Sequence, residues 1–298
     1  MMKNGFLFIF LIFQSIHIFA QFTATIIDAK DKKGIAYVSI YIPEENIGIT
    51  ADENGKFTIK TSLTSKLIFS ALGYENKSVA FADLKEIIEL SPKFFELNEI
   101  RVFPKQMEEL KINTFSETEI KNSFASSTVT PTIYARYFPY DTIYQHTPFI
   151  KSIKTSVRSF TKNSIFNIKI YGVKHDGGVG KELTNKNILV KTKKGIMFPI
   201  TDVSKLNIQF PEDGLFIGLE NLLLESNKYD SKELLNWPKD KPFRMHTYYS
   251  PLFNNVVIKD NFYTWVNMNG QWEIVSKNYS DNHMFKYSKL AIELTLSN

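Results

Sequence analysis

Between Gly48 and Tyr74 the chain reads GITADENGKFTIKTSLTSKLIFSALGY, two short strands across a polar turn followed by a third. Asp52-Glu53-Asn54-Gly55 is turn chemistry: Asn and Asp bond their own backbone, and Gly takes positive φ without steric cost. Phe57 and Ile59 then alternate with Thr58 and Lys60, the two-residue period of a half-buried strand. Leu67, Phe69 and Ala71 alternate with Ile68, Ser70 and Leu72, so the third strand is apolar on both faces and is expected at the middle of a sheet. Thr61 to Ser65 is the polar connection.

Val38-Ser39-Ile40, then Gly48 to Phe57, then Leu67-Ile68-Phe69-Ser70-Ala71-Leu72-Gly73-Tyr74 together resemble the carboxypeptidase-regulatory-like domain. The resemblance implies a small seven-stranded, transthyretin-like sandwich over residues 21–103. Leu97 to Val102 resembles that family's closing strand. Such modules are abundant in cell envelopes of Bacteroidetes-type bacteria, often ahead of TonB-dependent transporters. Despite the name, the module brings no peptidase residues.

Residues 1–20 have the form of a signal peptide: Lys3 at the start, an apolar run from Phe6 to Phe13, and Ala20 before a cut at Gln21. The alternative, an uncleaved anchor, is disfavoured because the run is shorter than the roughly 20 residues a spanning helix needs. The formal charge is +5, and it is not gathered into a basic run, which argues against nucleic acid as a partner. Cysteine is absent, which excludes disulfides, thiolate zinc sites, thiol catalysis and a lipoprotein anchor. The expected product is exported to the periplasm or the outer-membrane or cell surface, with no transmembrane span after cleavage.

Residues 104–131 are polar and read as a linker with a short helix near Lys105 to Ile112. Fewer than 200 residues follow, too few for a transporter barrel. An eight-stranded membrane barrel fits the length, but the charges fall at irregular phase and the chain ends Thr-Leu-Ser-Asn. Residues 132–298 read as many short strands. Phe149 to Phe160 is one, Ser164 to Val173 is one-sided, and Gly214 to Leu224 is apolar enough to be central. Asn269-Gly270 is the strongest hairpin signal; it places Tyr263, Trp265 and Asn267 on one face with Trp272 and Ile274. The fold class expected is all-β, the small sandwich followed by a larger jelly-roll-like β-sandwich. Phe149 to Ile153, Phe166 to Tyr171 and Gly214 to Glu220 also resemble a jelly-roll region that follows regulatory-like domains in uncharacterised Bacteroidetes envelope proteins. That resemblance implies architecture and no defined activity.

No catalytic residues, metal ligands or cofactors are expected. None of the five histidines stands at a ligand spacing from another. Asp176-Gly177-Gly178 offers oxygens to calcium but is more simply a turn, and the Gly-x-Ser-x-Gly elbow is missing. Glu220 lies in an apolar strand, either as a general acid of raised pKa or, the favoured reading, as a carboxylate paired with Lys, Arg or Tyr. Trp237, Tyr263, Trp265 and Trp272 are the candidate ligand-binding residues, with Trp237 in a loop and the other three weighed against a place in the core. These features lead to a secreted cell-envelope binding or assembly protein without catalytic activity, its partner an envelope protein or glycan. The alternatives are a carbohydrate-binding module, an accessory partner of an outer-membrane TonB-dependent transporter, and an enzyme. The last would be a metal-dependent hydrolase or a glycosidase with carboxylates about 5–9 Å apart.

Overall fold

The computed structural model describes residues 20–61, 65–93, 108–124, 126, 129–232, 245–257, 264–275 and 288–298. The expected signal peptide, apart from Ala20, and the closing strand at 97–102 lie outside the described residues. Everything regular among them is strand or short 3-10 turn, as the periodicities require.

Seven strands build the first body: β1 (Ala20–Asp28), β2 (Ser39–Ile42), β3 (Ile47–Thr50), β4 (Lys56–Thr61), β5 (Lys66–Ser70), β6 (Lys77–Ala80) and β7 (Ile87–Leu90). They form two sheets, ordered β4-β1-β7 and β3-β2-β5-β6, over a core that includes Ile26, Val38, Ile40, Phe57, Leu67 and Phe69. β5 is flanked by β2 and β6, as expected for a strand apolar on both faces. In the turn before β4 the Asp52 Oδ1 accepts the backbone N–H groups of Asn54 and Lys56, each at 2.8 Å. Gly55 there has φ 79°, open to glycine at little cost.

The second body contains β8 (Glu109–Ile112), β9 (Ile120–Phe124), β10 (Thr132–Phe138), β11 (Phe149–Thr155), β12 (Val157–Ser159), β13 (Ser164–Val173), β14 (Val179–Glu182), β15 (Ile188–Thr192), β16 (Gly195–Met197), β17 (Ile200–Asp202), β18 (Leu215–Asn221), β19 (Lys228–Lys232), β20 (Met245–Tyr249), β21 (Leu252–Val257), β22 (Trp265–Met268), β23 (Gln271–Ile274), β24 (Ser288–Leu290) and β25 (Ile292–Ser297). Its largest sheet runs β14-β13-β18-β10-β22-β23, with β15 also on β13. Against it pack β17-β11-β25-β8 and β16-β12-β21-β24, with β9 on β21. The shared core includes Phe138, Ile150, Phe166, Ile217, Phe253 and Leu294. Arg136 is buried among these strands; its Nη1 donates to the Leu290 and Ile292 carbonyls at 3.0 and 2.8 Å.

Three sequence expectations change. The stretch read as a linker with a short helix holds two strands: Leu110 and Ile112 alternate with Glu109 and Lys111, and β8 pairs with β25 while β9 pairs with β21. The strand expected over Phe149 to Phe160 turns a corner at Ser156. There Ser156 donates its N–H to the Ala291 carbonyl and accepts from the Asn254 N–H, each at 3.0 Å, so β11 and β12 enter different sheets. Finally, β13 is not one-sided. Its residues from Phe166 to Tyr171 are all buried, because the face expected to meet solvent is covered by the first body and by a second cluster of aromatic rings.

Candidate functional site

That covered face carries a cluster of aromatic rings, a buried ion pair and a cleft. Strand register places Asn167, Glu220, Ile133, Asn267 and Trp272 in one cross-strand row. Lys169, Gly218, Ala135, Trp265 and Ile274 form the next, and Tyr171, Phe216 and Tyr137 a third. Tyr171 and Trp272 stand on strands that a flat sheet would hold roughly 19 Å apart, at about 4.8 Å per step. Their ring centroids are 5.4 Å apart. The sheet is therefore strongly curled, with this face inside. Gly218 lies at the bend, where an added Cβ would come within 3.0 Å of Ile133 and 3.1 Å of the Tyr171 ring.

At one end of the hollow the rings fill the space themselves. Phe216 meets Trp265 edge-on at 5.9 Å and Tyr137 at 5.2 Å. Trp265 and Trp272 are half-buried against this cluster. The hairpin expected at Asn269-Gly270 is present, with φ 54° and 80°, and pairs Asn267 with Trp272 and Trp265 with Ile274. Trp237 and Tyr263 lie outside the described residues, so the four candidate aromatics are not seen together.

In the middle of the hollow sits a buried charged cluster. Glu220 is 2% exposed; it accepts from Asn167 Nδ2 at 3.0 Å and faces Lys169 Nζ at 3.6 Å. Lys169 also reaches Glu182 at 3.2 Å. Desolvation opposes the Lys169 charge, but Glu220, Tyr171 and Glu182 outweigh it and hold the ammonium pKa well above the usual lysine value. The first body closes the cluster: Ser39 Oγ donates to Glu220 Oε1 at 3.1 Å. Tyr41, from the same face of β2, is buried beside it, and burial together with Glu220 pushes its phenol up to about 12. Further bonds join the bodies. Leu223 N–H donates to Thr50 Oγ1 at 3.0 Å, and Gly48 N–H to the Val129 carbonyl at 2.6 Å. Gly48 has to be glycine, since a Cβ would stand 2.8 Å from Pro131 and 2.7 Å from the Ile40 carbonyl.

At the far end of the same face a cleft of about 690 Å³ opens between the bodies. Ile165, Leu224 and Met197 supply its apolar floor, and Lys191, the cross-strand partner of Ile165, lines the second-body side with Lys193, Glu225 and Ser226. Tyr37, Asp52 and Glu53 of the first body form the opposite wall. Tyr37 is held at φ 59°, a left-handed conformation uncommon for a bulky residue. Desolvation raises its phenol pKa, reinforced by Glu53 and Asp52. Sequence reasoning missed this cleft, because its walls come from segments more than a hundred residues apart.

The other candidate chemistry is structural. Asp176 Oδ1 accepts the Gly178 N–H at 2.9 Å, an ordinary turn bond. Among the described residues no group of three His, Asp or Glu side chains is placed to hold a metal ion. No described helix is long and apolar enough to cross a membrane.

A family model, the CarboxypepD_reg-like domain, matches residues 22–102, so the first body is a carboxypeptidase-regulatory-like domain. A module of that kind is compatible with binding. No curated protein matches the chain. Among the solved structures that align is one at TM-score 0.33 and 8% identity: the cysteine protease and lectin-like domains of Cwp84, a surface layer associated protein of Clostridium difficile. The match spans 57% of this chain and 32% of that one.

Proposed function

We propose that this is an exported, non-catalytic binding or assembly protein of the cell envelope, and that its ligand enters the cleft between the two bodies. The observation that carries the reading is the cleft itself, about 690 Å³, at a joint between domains and within the range of roughly 300–1,000 Å³ common for ligand sites. Two further features support it. Residues 1–20 have the form of a signal peptide, and the buried acids and base around Lys169 and Glu220 pair with one another and with Ser39 of the first body rather than facing a reactive pocket. A thermal-shift screen of the purified protein against envelope glycans, peptidoglycan fragments and peptides tests it. The expected result is a stabilising ligand whose effect disappears in a Ser226→Trp variant that fills the cleft. Turnover of any of these compounds that is lost in Glu220→Gln would replace the reading with an enzyme.

A second reading is carbohydrate stacking on Trp265 and Trp272, supported by the half-burial that leaves part of each side chain accessible. A glycan array on which Trp272→Ala loses the signal and Ser226→Trp keeps it would favour this alternative. An accessory role beside an outer-membrane transporter fits either surface, with an envelope protein as the ligand.

A further inference from the structure

Resting on the cleft as the ligand site, we infer that its ligand is a short zwitterionic peptide. The first body lines the cleft with Asp52 and Glu53, and the second with Lys191 and Lys193 together with Glu225. Asp52, Glu53, Lys191 and Lys193 take part in no described ion pair, whereas Glu225 is matched with Lys228 at 3.5 Å, which leaves acid unmatched on the first body and base unmatched on the second. A purely anionic ligand would set its charge against Glu53, and a purely cationic one against Lys191, each a like-charge contact that works against binding. A molecule with a cation at one end and an anion at the other satisfies both walls at once.

The floor selects further. Ile165, Leu224 and Met197 are aliphatic and half-buried, a surface for an alkyl side chain. Flat rings that suit a sugar face are represented among the lining residues by Tyr37 alone. Tyr37 holds a left-handed backbone at the edge of the cleft, and backbone held in a sparsely populated region clusters at ligand clamps. An ammonium beside Glu53, a carboxylate beside the lysines and an aliphatic side chain between them describe a free peptide.

The test uses one tripeptide, alanyl-leucyl-alanine, in four forms titrated calorimetrically into the full protein: free, acetylated, amidated, and capped at both ends. Maltotriose is the uncharged control. The expected result is that the free form binds about tenfold or more tightly than either singly capped form, a tenfold change being about 1.4 kcal/mol. Lys191→Glu/Lys193→Glu and Glu53→Lys, all exposed positions, should each remove that preference while leaving the melting temperature unchanged. Equal binding of all four forms, tighter binding of maltotriose, or no heat from the free tripeptide would overturn the inference. The cleft reading survives those outcomes if another ligand is still lost in Ser226→Trp, and falls if every ligand found ignores that variant.

Discussion

At the scale of single residues, Glu220 links its ion pair with Lys169 in the second body to the first body, through the bond that Ser39 donates. Glu220→Ala leaves Lys169 buried with Glu182 as its remaining described acid and removes the acceptor of Ser39. Breaking a buried pair from one side costs about 3–5 kcal/mol, whereas replacing both ends with apolar groups is often far milder. Urea unfolding should therefore show a loss of about that size for Glu220→Ala, and a clearly smaller one for Lys169→Met/Glu220→Leu. Equal losses in the two variants would mean the pair is not coupled. The pH dependence follows from the direction of the Lys169 shift. Its folded pKa lies above the unfolded value of about 10.4. Its contribution is thus complete below that unfolded value and is lost as pH rises through the folded one. Stability measured from neutral pH upward should fall in the strongly alkaline range, and less steeply in Lys169→Met. The sequence already pointed to a paired Glu220, since a carboxylate in so apolar a strand needs a partner. Which residues supply the bonds was not legible, because Ser39 stands 181 positions away.

At the scale of elements, glycines separate local from tertiary control. Gly270 has φ 80° with open space around its Cα. Gly270→Ala should cost only the left-handed penalty, about 1–2 kcal/mol. At Gly48 the obstacle is the Pro131 ring and the Ile40 carbonyl rather than φ. Gly48→Ala should therefore lose more than Gly270→Ala in the same denaturant series, and the reverse order would contradict the joint described here. The same division explains what could be read in advance. The turn at Asp52 to Gly55, the hairpin at Asn269-Gly270 and the central place of β18 rest on neighbours in sequence, and all appear as expected. The corner at Ser156 and the burial of both faces of β13 depend on strands and rings brought in from elsewhere. The short alternation from Glu109 to Ile112 was masked by the polar residues around it, and its sheet is completed by the last strand of the chain.

At the scale of the whole molecule, one curled face does three things along the length of β13. Rings fill it beside Tyr171, the buried pair of Lys169 and Glu220 meets the first body at Ser39, and at Ile165 it opens into the cleft. The cleft exists only while the middle section holds, so the union of the two sandwiches is the claim on which the function depends. Differential scanning calorimetry of the wild-type protein and of Glu220→Ala tests it most directly. The account predicts a single cooperative transition for the wild type, splitting into two in the variant. Two independent transitions in the wild type, or a variant that still melts in one step at the same temperature, would contradict it.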